Sequence, residues 1–348
     1  MDCSENATME SPEYVRLSLA AAMTLGFKSG LFYRDAQLHC MNLLLTYESG
    51  CAACCAYCGL AGRGKTDDRG KRFIRVQWPA YHLDRIIDAI SESREAVKRV
   101  CISMITRNRA AKDTKDICAH VRSQLDIPVS LLVSPTVLGP NDLLDFRRAG
   151  ADKIGVAIDL ATPLLFDKYR GSGVKGPHQW EIYWDCLSRA IDIFGKDNAG
   201  VHLMVGMGET EKEMCATIQK VSDMGGRTHL FSFFPESNSM MADHRRPALP
   251  RYRRIQLARH IIDAGYGHEE EFSYHDNGRI RDLGLTQKAC SEIIDSGEPF
   301  QTSGCEGEDG QVACNRPFAN SRPGPHLRNY PFAPSDEDMD LIRRQIGF

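Results

Sequence analysis

Residues 40–59 read CMNLLLTYESGCAACCAYCG. The first part is an unbroken apolar run of strand length, the pattern of a parallel strand covered on both faces. The second part is a loop built from glycine and alanine. It carries Cys51, Cys54, Cys55 and Cys58 within eight residues, between Gly50 and Gly59. Small residues let a backbone wrap closely around a bulky object, and thiolates are the soft ligands that iron–sulfur clusters and zinc prefer.

Working outward from this stretch, five further apolar runs begin near Val100, Val129, Lys153, Val201 and His229. Helix-sized segments such as HLDRIIDAISESREAVK, NDLLDFRRAG, QWEIYWDCLSRAIDIFG and TEKEMCATIQKVSDMGG lie between them. Several end in glycine, as a left-handed helix cap requires. Strands that alternate with helices imply repeated βα units and a parallel sheet. We expect an α/β fold, a parallel (βα) barrel of the TIM type, partial in extent; periodicity alone does not separate it from a doubly wound sheet. In either case the chemistry belongs at the C-terminal ends of the strands. Residues 1–36 are expected to form a helical preface (YVRLSLAAAMTLGFKSG), 37–271 the barrel and 272–348 an irregular extension. In that extension CNRPFANSRPGPHLRNYPFAP has too much proline for regular structure.

Composition narrows the class. The chain has 348 residues, is 42% hydrophobic and 26% charged, and carries a net charge of −3. It is therefore expected to be globular, with no global footprint for nucleic acid. No apolar run is long enough to cross a membrane, and the polar start does not resemble a secretory signal. A cytoplasmic location is the expectation. Thirteen cysteines in a long chain of this kind point to metal or catalysis rather than to disulfides.

Two readings of the cysteine loop compete. As Cys51-x3-Cys55-x2-Cys58, three thiolates can hold three irons of a [4Fe–4S] cube and leave the fourth iron open. As two abutting CxxC pairs, the same loop would make a cramped tetrahedral zinc site. The x3, x2 spacing after the first strand, with aromatic Tyr57 before the last cysteine, resembles the radical S-adenosylmethionine superfamily. That resemblance implies a [4Fe–4S] cluster on Cys51, Cys55 and Cys58. It also implies S-adenosylmethionine on the open iron and a 5′-deoxyadenosyl radical that removes an unactivated hydrogen. A reductant such as ferredoxin or flavodoxin would supply the electron.

Other positions take their roles from the same resemblance. Gly206, Gly208 and Glu209, in GMGET (206–210), are similar to the glycine-rich turn and glutamate of the biotin synthase and lipoyl synthase branch, beside the adenosyl group. The local alternative is a strand-to-helix turn, with Thr210 and Glu213 as a capping box. Asp159, at a strand end, can accept hydrogen bonds from ribose hydroxyls, or it can serve as a helix N-terminal acid. Tyr57 and Arg170 would lie near the cofactor, and Ser103 could face its amino group. No catalytic residue beyond these is assigned.

The sulfur-inserting members of the branch carry an auxiliary cluster. Cys101 looks similar to one of its ligands in biotin synthase, but Ser130 and His202 stand where others are expected. Cys40, Cys305 and Cys314 offer another set, which would also tie down the proline-rich tail. The tail CNRPFANSRPG and the stretch FSFFPESNS resemble the two-protein lipoyl synthases of archaea and some bacteria. The implied activity is sulfur insertion into a protein-bound octanoyl chain. An octanoylated lipoyl carrier domain or peptide would be the substrate and a second radical S-adenosylmethionine protein a partner. The alternatives are a radical rearrangement or methylation of a small molecule, and a non-catalytic iron–sulfur or zinc scaffold. Arg245, Arg246, Arg251, Arg253, Arg254 and Arg259 are either a solvated helix face or a docking patch for an acidic carrier. Cys3, Cys118, Cys186, Cys215 and Cys290 read as packing or surface cysteines.

Overall fold

The computed structural model describes residues 9–61, 72–73, 75–320 and 327–347. Cys3 and the stretch SRPGPH at 321–326 lie outside the described residues. The six expected strands all form: β2 (Cys40–Leu45), β6 (Arg99–Ser103), β7 (Val129–Val133), β8 (Ala151–Asp159), β9 (Ala199–Val205) and β10 (Arg227–Ser232). They pair in parallel in the order β10-β9-β8-β7-β6-β2, with β1 (Tyr14–Leu17) and β5 (Ala80–His82) added antiparallel beyond β2. A two-residue pair, β3 (Arg72–Phe73) and β4 (Val76–Gln77), precedes β5. The sheet does not close on itself, since β10 and β5 are its two ends. The fold is thus a mixed α/β partial barrel.

Side chains alternate across each strand. One set faces the helices α2 (Leu83–Glu92), α3 (Ala110–Gln124), α4 (Asp142–Arg148), α5 (Pro163–Tyr169), α6 (Trp180–Phe194) and α7 (Glu211–Asp223). Met41, Leu43, Ile102, Leu131, Ile154, Val156 and Val201 belong to that core and are almost fully buried. The opposite set faces the barrel lumen. On β8 it comprises Lys153, Gly155, Ala157 and Asp159, all half-buried, where the intervening Ile154, Val156 and Ile158 are buried.

Two regions differ from the sequence expectation. The preface is not wholly helical: Tyr14–Leu17 is a strand on β2, and the helix α1 is confined to Leu19–Thr24. Val15 and Leu17 alternate with half-buried neighbours, a period of two that the helical reading overlooks. The C-terminal extension is more ordered than expected. It contains α9 (Gln287–Asp295), α10 (Arg316–Ala319) and α11 (Asp336–Ile346). The last of these opens with a capping box, Ser335 with Asp338, and ends at Gly347 with φ +60°. Phe300, Leu327, Tyr330, Met339, Ile342 and Ile346 form a second hydrophobic cluster.

The helix α8 (Leu249–Asp263) lies between barrel and extension, covered by both. Arg253 and Arg254 are buried, as is Arg259. Arg253 donates to the carbonyls of Leu327 and Arg328, Arg254 to Glu211 and the Ile346 carbonyl, and Arg259 to the Pro299 carbonyl. These three guanidinium groups bind the extension to the barrel. These three do not form a docking face, because they are buried against the extension.

Candidate active site

The cysteine loop leaves β2 at the C-terminal mouth of the barrel. Backbone contacts hold it at several points. Ala52 N–H donates to Thr106 O (2.9 Å), Ala56 N–H to Tyr169 O (2.8 Å) and Met241 N–H to Ala56 O (3.2 Å). The Thr106 N–H donates to Cys51 Sγ at 3.4 Å. Cys51, Cys55 and Cys58 sit together; burial pushes the Cys55 thiol up to about 11 and raises Cys58 well above its usual range, and each feels the other cysteines. Left to themselves the Cys55 and Cys58 thiols stay protonated, so a bound metal is what would make thiolates of them.

Beside the loop stands a hydrogen-bonded hub. Asp159 ends β8 at φ +66°, a left-handed conformation that aspartate tolerates better than most residues. Its Oδ2 accepts from Tyr57 Oη (2.7 Å) and Arg170 Nη1 (2.7 Å). Arg170, buried at the end of α5, also donates to the Ala157 carbonyl and to Tyr183 Oη (3.1 Å). Tyr183 meets His178 Nδ1 at 2.9 Å and Ser134 at 3.3 Å, and Thr136 meets the same His178 nitrogen at 2.6 Å. Burial, with Arg170 nearby, pulls His178 down to about 2, so it is neutral. Three expected residues, Tyr57, Asp159 and Arg170, are thus brought together beside Cys55. The backing shell of Tyr183, His178, Ser134 and Thr136 has no local sequence signal, because three separate elements supply it.

The GMGET turn follows β9 at the same mouth. Gly206 and Gly208 have φ +105° and +116°, and a Cβ on Gly206 would lie 2.7 Å from Pro247. The turn therefore requires glycine at 206. Glu209 is buried and points into its own turn. It accepts from the backbone N–H groups of Gly206 and Met207, each at 2.8 Å, and from Arg251 at 2.8 Å. Its part is to shape the turn; both carboxylate oxygens are taken. The capping box of Thr210 and Glu213 is also present. Ser103 faces the extension, its Oγ accepting from Arg316.

A second cysteine group lies deeper, toward the foot of the barrel. Cys40 on β2, Cys101 on β6 and Cys314 in the extension form one buried contact group, with Cys305 packed against it. Cys40, Cys305 and Cys314 are the set expected from sequence, and Cys101 completes it to four. Asn42, fully buried, directs Nδ2 at Cys40 Sγ (3.6 Å) and Cys314 Sγ (3.9 Å). The segment from Cys305 to Cys314 folds back on itself, with Cys314 N–H donating to Cys305 O (3.0 Å). It is fastened by cations. Arg99 binds Asp152 through two 2.6 Å contacts and donates Nε to Glu306 O at 2.6 Å; Lys153 meets Glu306 at 2.6 Å. Cys118, Cys186 and Cys215 are buried within α3, α6 and α7, as packing residues.

Among the described residues, no three His, Cys, Asp or Glu side chains close around a single-ion position. A [4Fe–4S] cube binds each cysteine through a different iron and so spreads its ligands more widely.

A parallel partial barrel with a cysteine loop at its C-terminal mouth defines a class of iron–sulfur radical enzymes. A sequence model of the radical SAM superfamily matches residues 47–221, half of the chain. The chain belongs to the radical SAM superfamily, whose members use a [4Fe–4S] cluster and S-adenosylmethionine. Among solved structures, HydG, a maturase of the [FeFe]-hydrogenase, aligns with a TM-score of 0.52 at 11% identity, over 72% of this chain and 54% of its own. The radical S-adenosylmethionine methyltransferase TsrM from Kitasatospora setae gives 0.40 at 14% identity, over 80% of this chain and 49% of its own. Elp3 from Methanocaldococcus infernus gives 0.41 at 10%, over 62% and 57%. The chain spans about half the length of the structures it matches. No curated relative matches it. Among the described residues no helix is long and apolar enough to cross a membrane.

Proposed function

We propose that this enzyme inserts sulfur at unactivated C–H bonds of a protein-bound octanoyl chain, in the manner of a lipoyl synthase. The observation that carries the reading is the convergence of Cys40, Cys101 and Cys314, with Cys305, on one buried group below the cysteine loop. A radical rearrangement or methylation has no need of a second thiol set inside the same lumen.

The residues divide as follows. Cys51, Cys55 and Cys58 hold the first cluster, and the four deeper cysteines hold a second [4Fe–4S] cluster as sulfur source. When bound, the first cluster and S-adenosylmethionine supply the 5′-deoxyadenosyl radical, the hard step that the protein cannot perform itself. Among the described residues no side chain or backbone group is bonded to Asp159 Oδ1, while Tyr57 and Arg170 fix its Oδ2, so a ribose hydroxyl can be oriented there. Glu209, with Gly206 and Gly208, sets the backbone of the adjoining wall. Gly155, Ala157, Met204 and Phe231 are half-buried in lumen phase on their strands, and Gly155 and Phe231 line a cavity that also reaches Cys101, Cys305 and Cys314. A glycine, an alanine, a flexible methionine and one ring leave room for an unbranched acyl chain. The lumen shields a radical from water. An octanoylated carrier domain or peptide, a second radical S-adenosylmethionine protein and a small reductant protein are the partners this reading requires.

The test is anaerobic incubation with reductant, S-adenosylmethionine and an octanoylated peptide, after reconstitution to about eight irons per chain for two [4Fe–4S] clusters. The expected products are 5′-deoxyadenosine and a peptide that has gained sulfur. Deoxyadenosine with an unchanged peptide, and about four irons, would remove sulfur insertion and leave rearrangement or methylation. No deoxyadenosine at all would favour a scaffold.

A further inference from the structure

At the mouth, the segment between β10 and α8 is packed on both parts of the site. Met241 N–H donates to the Ala56 carbonyl of the cysteine loop, His244 Nε2 lies 3.1 Å from the Gly206 carbonyl, and Pro247 fills the space beside Gly206. Arg246 stands on this anchored stretch, exposed, with its guanidinium 4.8 Å from the centre of the Phe234 ring. From the other side the extension runs along the β10 edge. Asn329 donates Nδ2 to the Leu230 carbonyl (3.2 Å) and accepts from Tyr252 Oη (2.5 Å). Arg328 is thereby set 5.9 Å from the ring centre of Tyr252, in the first turn of α8, and within the field of Arg246 and Arg253.

The cations of this corner outnumber their partners. Arg251 pairs with Glu209 at 2.8 Å and Arg254 with Glu211 at 2.5 Å. Arg253 uses its donors on the Leu327 and Arg328 carbonyls and on the side chains of Gln256 and Gln345. Among the described residues Arg246 and Arg328 have no carboxylate within ion-pair distance, and the Arg328 guanidinium has no hydrogen-bond partner. Of the acids on the same loop, Glu236 lies against Gly59 and Asp243 is exposed and pairs with neither arginine. Arg328 is half-buried: Nη1 is covered, and the other two nitrogens reach solvent. Burial and the charge of Arg246 pull Arg328 down to about 10. The N-terminus of α8 adds to the same field, with no acidic residue in its first turn and no side-chain cap. A half-buried guanidinium beside like charges is costly, and an anion at its open side relieves it.

We propose that Arg246 and Arg328 bind a carboxylate of the substrate peptide, an aspartate or glutamate side chain beside the acylated residue. The proposal rests on the sulfur-insertion reading, which sends the acyl chain into the lumen and leaves the peptide on the rim of the mouth. The two arginines stand on that rim, one on the loop that touches the cysteine loop and the other on the extension that covers the β10 edge. Because both lie on the β10 side, the carboxylate they hold also fixes which way round the peptide lies.

The experiment uses the full chain, reconstituted anaerobically, and two octanoylated peptides that differ only in an aspartate or an asparagine beside the acylated lysine. Affinity is read from the fluorescence anisotropy of the labelled peptide, and sulfur gain from its mass. The aspartate peptide should bind about tenfold more tightly, the size of one charge-assisted hydrogen bond. Arg246→Met and Arg328→Met should each weaken it about tenfold. Either variant combined with the asparagine peptide should lose no more than one change alone, a coupling that a merely structural arginine would not show. If Arg328→Met does not fold, Arg246→Met, at an exposed position, decides. Equal affinity for the two peptides overturns the proposal. So does a rise in the KM for S-adenosylmethionine at unchanged peptide affinity, which would give the carboxylate to the cofactor. The two readings fail separately: sulfur gain without the aspartate preference removes this site alone, and the preference without sulfur gain removes sulfur insertion alone.

Discussion

The two cysteine groups of this barrel are assembled in opposite ways. The mouth group comes from eight consecutive residues on one loop. The deeper group draws on residues 40, 101, 305 and 314, and nothing in their spacing shows that they meet. A local loop can hold its ligands in any barrel that supplies a strand before it. The deeper set exists only if the sheet order, the register of Asn42 opposite Cys101 and the docking of the extension are all correct. The first group is a property of a motif, the second a property of the whole fold.

The largest effect expected tests that contrast directly. Cys55→Ser should abolish 5′-deoxyadenosine formation, because one of three ligands is lost, and should remove about half of the iron. Cys314→Ala should also remove about half of the iron yet leave deoxyadenosine formation in place, while sulfur transfer to the peptide disappears. Both readouts come from one anaerobic assay and one iron count. If Cys314→Ala silences deoxyadenosine as well, the two groups are not independent and the contrast fails.

What could be read from the chain follows the same division. The strands were legible because parallel strands covered on both faces are short continuous apolar runs, and the cysteine loop because its ligands are neighbours. Tyr57 and Arg170 came to the cofactor site through the family resemblance, and Asp159 also through its place at the end of a strand. Tyr183 and His178 carried no such signal, since their role depends on α6 packing behind β8. Cys101 stood out by its likeness to a biotin synthase ligand, but nothing in the spacing joined it to Cys40, Cys305 and Cys314. The arginines of α8 misled for a related reason: a basic helix reads as solvated unless one knows that a later segment covers it. The final helix carried its own signal in Ser335 and Gly347, drowned by the proline-rich stretch before it.

Next in size is the fastening of the deeper group. Arg99 is buried, with its bidentate contact to Asp152 and its bond to the Glu306 carbonyl holding the segment that carries Cys305 and Cys314. Arg99→Met should cost roughly 3 kcal/mol, the lower range for breaking a buried pair, because Asp152 retains partial access to water. Urea unfolding of the metal-free chain measures this. The same variant should lose iron from the deeper group and keep deoxyadenosine formation. Loss of both would mean that Arg99 supports the barrel as a whole.

At the mouth, Asp159→Asn removes the charge that compensates Arg170 and weakens the acceptor shared by Tyr57 and Arg170. A cost of about 2 kcal/mol in the metal-free chain is expected, since the Asp159 side chain is 19% exposed and solvent softens the loss. The KM for S-adenosylmethionine should rise more than kcat falls, as expected for a group that orients ribose. A fall in kcat at unchanged KM would place Asp159 outside the cofactor site.

The smallest effect separates the backing shell of the mouth from the site it supports. His178 is held neutral, with a folded pKa of about 2 against the usual 6.5, by burial and by Arg170. The unfolded chain takes up a proton near pH 6.5 that the folded chain refuses. This contribution to stability is therefore whole above that pH and is lost as pH falls toward the folded value. At pH 6 the loss from this one group is under about 1 kcal/mol, and it then grows by about 1.4 kcal/mol per pH unit. His178→Gln removes the proton uptake while keeping a polar side chain against Thr136 and Tyr183. Denaturant unfolding from pH 7 to pH 5 should thus show a shallower decline for the variant than for the parent. Parallel curves would mean that His178 takes up its proton in the folded chain, and that the Arg170 hub opens to water more readily than its packing implies.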